Sequence, residues 1–222
     1  MRQVWHELLF AHWPIDPKLM RGLVPPQLPL DLFEGMSWLA IAPFHMSGIR
    51  ARGLPAFPRL SQFPELNVRT YVILEGKPGV FFFSLDAASL VAVKAARKFY
   101  HLPYFPARMS VREDQDWIHY AAQRRNSSAE FRGRYRPVAP VQLREPSSLP
   151  HWLSERYCLY TVFEGQVFRA EIHHQQWPLQ DAEWEVDANT MAEGIPLPAV
   201  TPLLHFSRRL DVLIWPLRRL EI

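Results

Sequence analysis

The most regular pattern in the chain is the alternation of polar and apolar residues through Glu65-Leu66-Asn67-Val68-Arg69-Thr70-Tyr71-Val72. Successive side chains of a strand point to opposite faces. Residues 65–74 therefore predict a strand with Glu65, Asn67, Arg69 and Tyr71 on one face and Leu66, Val68, Thr70 and Val72 on the other. Glu75-Gly76-Lys77-Pro78-Gly79 predicts a turn, with a returning strand over 80–85. An apolar run predicts a buried strand over 36–46. Residues 106–137 predict an antiparallel meander of three strands, turning at Glu113-Asp114-Gln115-Asp116 and Asn126-Ser127-Ser128. Strands are also expected over 157–163 and 166–177, joined by Glu164-Gly165, with a last pair over 205–207 and 210–215.

Helical signals are fewer. Asp16-Pro17 and Gly22 bracket a short helix over 16–23. The longest helix is expected over 86–100, capped by Asp86. Its apolar stripe is Ala88, Val91, Ala92, Ala95 and Phe99, and Leu90, Lys94, Arg97 and Lys98 form a largely cationic face. A third helix is expected over 148–156, and 21 prolines argue against long ones. The pattern predicts an α+β fold: a mainly antiparallel, strongly curved β-sheet or barrel with a few flanking helices. The 222 residues suit a single domain, 1–222, with Pro137 to Pro150 as the loosest stretch.

Composition narrows the function classes. The net charge is only +3, and the only dense basic run lies between Arg124 and Arg144, so no nucleic-acid partner is expected. No apolar run approaches the ~20 residues that span a bilayer, and no signal-peptide core follows Met1. One cysteine, Cys158, excludes an intrachain disulfide. These features point to a cytoplasmic protein without membrane contact.

The polar row has two interpretations. On a half-exposed strand, Glu65, Asn67, Arg69 and Tyr71 would face water. Inside a barrel they would need partners, because an unpaired buried charge is costly. A paired acid and guanidinium there could orient a carboxylate or carbonyl ligand.

Longer segments carry a resemblance. They include Leu9-Phe10-Ala11-His12-Trp13-Pro14, Leu28-Pro29-Leu30-Asp31, Phe33-Glu34-Gly35 with Trp38, and Pro43-Phe44-His45-Met46. Phe63 to Val72, Gly79 to Asp86, Leu102-Pro103-Tyr104 and the closing His205 to Pro216 continue it. In this order they resemble the YqjF-like proteins, grouped by fold with acetoacetate decarboxylase. The resemblance implies a β structure around a buried pocket, with His12 and His45 among its candidate residues.

Acetoacetate decarboxylase forms an imine between a lysine and a keto acid, the amine being activated by a neighbouring lysine. The similar place here is Leu102-Pro103-Tyr104-Phe105, so Tyr104 and Phe105 stand where the lysine pair would be. The four lysines, Lys18, Lys77, Lys94 and Lys98, lie elsewhere in helices or a turn. Imine chemistry is therefore not expected. Tyr104 becomes a hydrogen-bond donor, and Glu65 a base if burial outweighs pairing with Arg69.

Other constellations are weaker. Nine histidines include no metal-binding spacing, and His173 and His174 point to opposite faces of a predicted strand. Arg132, Arg134 and Arg136 align on one face, as a solvated surface or as an interaction module for an acidic partner. The expected function is binding of a small carbonyl- or carboxylate-bearing molecule by Glu65, Asn67, Arg69, Tyr71, Tyr104, His12 and His45, without cofactor or metal. A lysine-independent lyase or isomerase is the alternative from another class. Assembly into a homo-oligomer stays open.

Overall fold

The computed structural model describes residues 1–50 and 61–221. The strands are β1 (Arg2–Ile15), β2 (Ser37–Arg50), β3 (Phe63–Leu74), β4 (Lys77–Ala87), β5 (Tyr104–Asp114), β6 (Trp117–Arg124), β7 (Glu130–Pro137), β8 (Cys158–Phe163), β9 (Gln166–His173), β10 (Gln180–Asn189), β11 (Leu203–Ile214) and β12 (Arg218–Arg219). The helices are α1 (Pro17–Leu23), α2 (Leu90–Tyr100) and α3 (Leu149–Ser154). All strands join one curved, mostly antiparallel sheet, in which β4 is parallel to both β5 and β8.

Two pairings bend this sheet back on itself. The neighbours β9-β8-β4-β3-β2-β1-β11 return to β9 through Leu213–His173 and Ile214–Ile172. The meander β5-β6-β7-β10 leaves β4 at Leu85–Ala87 and rejoins β11 at Phe206 and His205. It thereby covers the back of β1, β2 and β3. One core cluster holds Leu66, Val68, Tyr120, Phe131 and Tyr135 on that back face. The other holds Phe10, Ala40, Ala42, Phe44, Phe82, Leu85 and Trp177 on the front. Strands covered on both faces have no solvent side, so the polar row of β3 is buried.

Several local expectations are corrected. The chain stays extended through Ala87, and Ser89, not Asp86, caps α2 by accepting from the Ala92 amide. Asp86 instead sits buried on β4, where it pairs with Arg124. The expected apolar stripe of this helix is not its packed face: Val91 and Phe99 are exposed, while Val93 is buried and Ala96 and Tyr100 lean inward. The predicted closing pair is one continuous strand, β11. Strand β1 escapes the simple alternation because Glu7, at φ 49°, bulges out of register. A bulge exchanges the faces, so Gln3 and Trp5 before it and Leu8, Phe10 and His12 after it all turn inward.

Candidate functional site

Glu65, Asn67 and Arg69 project from β3 into a cavity of about 80 Å³ on the front of the sheet. The neighbouring strand makes the space: Ala42 and Ala40 of β2 stand opposite Asn67 and Arg69. The remaining wall is largely apolar, from Phe44, Met46, Phe82, Leu85, Leu159, Ile172 and Ile214, with Gln3, Trp5, Tyr100 and Tyr104 at its polar points.

Tyr104 reaches this cavity from β5. Its hydroxyl donates to Oε2 of Glu65 at 2.7 Å. The intervening strand contributes Ala87, paired with Glu65 on one side and Pro106 on the other, and this small residue lets the phenol cross over β4. The Glu65 backbone is fixed as well, its carbonyl accepting from Tyr120 at 2.7 Å. Burial pushes the Glu65 carboxyl up to about 8, against the Tyr104 hydrogen bond, which lowers it; the Asp86 carboxylate adds to the rise. Glu65 is thus mostly protonated at neutral pH. One oxygen accepts from Tyr104, leaving the carboxyl proton available to a second acceptor.

Asp86 lies on the opposite face of β4, gripped by Arg124 through Nε at 2.8 Å and Nη2 at 2.9 Å. Arg124 also meets Glu193 at 2.9 Å and lies over the Phe105 ring at 4.2 Å. The bidentate grip keeps a negative charge behind Glu65 and helps keep Glu65 neutral.

Arg69 is the contrasting member. It is 6% exposed, its Nε has no partner, and no described carboxylate pairs with it. Its guanidinium lies over the Phe10 ring at 5.1 Å. The expected Glu65–Arg69 pair is absent: residues four apart on a strand stand roughly 13 Å apart along it, and Glu65 uses Tyr104 instead. The Asn67 side-chain oxygen is also buried without a partner.

The other expected residues separate. Tyr71 is fully buried behind Arg69, its hydroxyl 2.8 Å from His12 Nε2. Burial first and Arg69 second hold the His12 imidazole well below its ordinary range, so it is neutral. Neither ring lines the cavity. His45 does not belong to this group. It lies between the inward-facing Phe44 and Met46, stacks on His6 at 4.7 Å and meets Glu7 at 3.2 Å. Strand alternation within Phe44-His45-Met46 already carried that signal. Reasoning from sequence missed Gln3, Trp5 and Tyr100, which line the cavity. Trp5 donates to Gln3 at 2.8 Å.

The remaining constellations are accounted for locally. Arg134 and Arg136 meet Glu185 at 2.7 Å and Glu183 at 2.6 Å across the β7–β10 pair, and both lie over Trp117. Arg132 approaches Asp187 at 3.5 Å. Among the described residues no three His, Cys, Asp or Glu side chains converge as a metal site, and no helix is long and apolar enough to cross a membrane.

Residues 2–211 match the model of DUF2071, an uncharacterized conserved protein family. The chain belongs to this family. Another relative is the uncharacterized protein YqjF of Bacillus subtilis (strain 168), 48% identical over 222 residues, which cover 99% of this chain and 92% of that protein. The DUF2071 chain is also similar in fold to solved structures of low sequence identity. The enduracididine biosynthesis enzyme MppR complexed with pyruvate superposes with a TM-score of 0.68 at 11% identity, over 99% of this chain and 90% of that one. An acetoacetate decarboxylase does so with a TM-score of 0.66 at 12% identity, over 99% and 89%. The DUF2071 chain thus has the acetoacetate decarboxylase-like fold, as the resemblance implied.

Proposed function

We propose that this single domain binds a small monocarboxylate carrying a carbonyl group, in a pocket enclosed by its barrel-like sheet. The observation that carries this reading is Arg69, a buried guanidinium at a cavity wall with no carboxylate partner among the described residues. A buried charge left unpaired costs several kcal/mol or more, and a ligand carboxylate is the natural counter-charge. Protonated Glu65, aligned by Tyr104, then meets the carbonyl end as a donor. Asn67 stands between them on the same strand face. The cavity of about 80 Å³ is about half the ~150 Å³ that admits benzene, so the ligand has only a few heavy atoms. Pyruvate bound to a protein of this fold is consistent with that class.

No lysine is among the cavity's lining, and Lys18, Lys77, Lys94 and Lys98 are all exposed. This supports binding without a Schiff base. The test is calorimetric titration of pyruvate and other short 2-oxo acids into wild type and Arg69→Met. Loss of binding in the variant is expected; equal affinities would remove Arg69 from the site.

One observation favours a second reading, a lysine-independent lyase or isomerase acting on a keto acid or enol. A carboxyl that titrates about 8 beside a fixed phenol suits proton transfer near neutral pH. Turnover of a short keto acid, abolished in Glu65→Gln with binding retained, would establish it. Absence of any turnover across the panel leaves the binding role.

A further inference from the structure

Two concavities lie back to back in this molecule and share two residues. The inner one is the cavity beside Glu65 and Arg69. The outer one is an open, mainly apolar groove of about 670 Å³, bounded by Leu23, Pro25, Phe81, Phe83, Val162 and Phe163. Phe82 and Leu102 belong to both.

The sheet is open at this point for a topological reason. Strand β4 pairs with β8 only through Val80 and Phe81, and with β5 only from Leu85 onward. Residues 82–84 therefore have no strand neighbour on that side. A register shift between Val68 and Arg69 leaves an extra residue on β4 here. It keeps both Phe82 and Leu85 directed inward. The gap is stopped by the segment after α2. His101 adopts φ 50° and turns the chain. Its carbonyl accepts from Thr161 at 2.8 Å, and the Pro103 carbonyl accepts from the Leu85 amide at 3.0 Å. Leu102 is held between these two anchors. Phe82 and Leu102 are 8% and 7% exposed. The rest of the lining comes from strands, the N-terminal Met1 and the Ala96–Tyr100 turn of α2; here the two residues shared with the groove separate the two spaces.

We propose that Phe82 and Leu102 are the specificity-determining partition that sets the upper chain length of the ligand. This rests on the carboxylate reading of the site. With the carboxylate at Arg69, an acid of about three carbons fills the cavity, and further methylenes meet the partition. Opening it joins the cavity to an apolar groove that can take the tail, each accommodated methylene being worth about fourfold in affinity.

The experiment titrates straight-chain 2-oxo acids of three to eight carbons into the full chain. Binding is read by calorimetric titration, which does not depend on the tryptophan content of the variants. The readout is the affinity ratio of the eight-carbon to the three-carbon acid. In wild type the ratio falls well below one. In Leu102→Ala and the gentler Phe82→Leu it rises at least tenfold, and in Leu102→Trp it falls further. A ratio unchanged in folded Phe82→Leu and Leu102→Trp overturns the partition while leaving the carboxylate site standing. A wild type that prefers the eight-carbon acid overturns it too. A wild type that binds none of the acids overturns the carboxylate reading and the partition with it.

Discussion

The hydroxyl of Tyr104 and the carboxyl of Glu65 meet at 2.7 Å, although 39 residues separate them in the chain. This contact ties the meander to the strand that carries the polar row. In Tyr104→Phe the buried Glu65 loses its donor. Stability should drop by about 1–3 kcal/mol in urea denaturation, the cost of leaving a buried polar group unsatisfied. The hydrogen bond lowers the Glu65 value, so its removal should raise the apparent titration of that group.

Glu65 predicts a pH dependence with a definite sign. Its ordinary value is 4.5 and its folded value about 8, so the native state binds more protons than the unfolded state between these limits. Stability contributed by this group therefore falls as pH rises through that window, by at most about 1.4 kcal/mol per pH unit. Glu65→Gln removes the dependence. The difference in unfolding free energy between variant and wild type should move in favour of the variant from pH 5 to pH 8. A constant difference across this range would show that Glu65 is ionised throughout.

Arg69 should show the opposite of a structural residue. It is buried without a carboxylate partner among the described residues. Replacing such a charge with an apolar residue of similar length removes a desolvation penalty. Arg69→Met is expected to keep or raise the melting temperature while losing affinity for short 2-oxo acids. A large fall in melting temperature would instead assign Arg69 a structural role.

The strands that make this site were legible to different degrees. Strand β3 and its polar face follow from alternation alone, because every second residue from Glu65 to Tyr71 is polar. Whether that face meets water does not follow. It depends on the return of β9 to β11 and on the meander crossing behind β3, which are pairings between distant segments. Strand β1 was hidden because the bulge at Glu7 breaks its period. Asp86 looked like a helix cap because Asp commonly fills that role. Its partner Arg124 is 38 residues away, and no local pattern connects them. Tyr104 entered the site from the family resemblance, and no pattern in the chain pairs it with Glu65.

The Asp86–Arg124 ion pair is buried and bidentate. The Asp86 side chain is fully buried and that of Arg124 is 8% exposed. Removing one partner of a buried, bidentate pair leaves an uncompensated charge, at a cost of about 3–5 kcal/mol. Arg124→Met should show that loss in urea denaturation, because Asp86 must then be protonated for the fold to hold. Asp86→Asn in the same background removes the stranded charge. The double variant should therefore be more stable than Arg124→Met alone, a coupling that independent sites do not show. Asp86 also raises the Glu65 value, so Asp86→Asn should lower the pH at which Glu65 titrates. Additive losses, with the Glu65 titration unmoved, would mean that the pair neither holds the strand nor tunes the site.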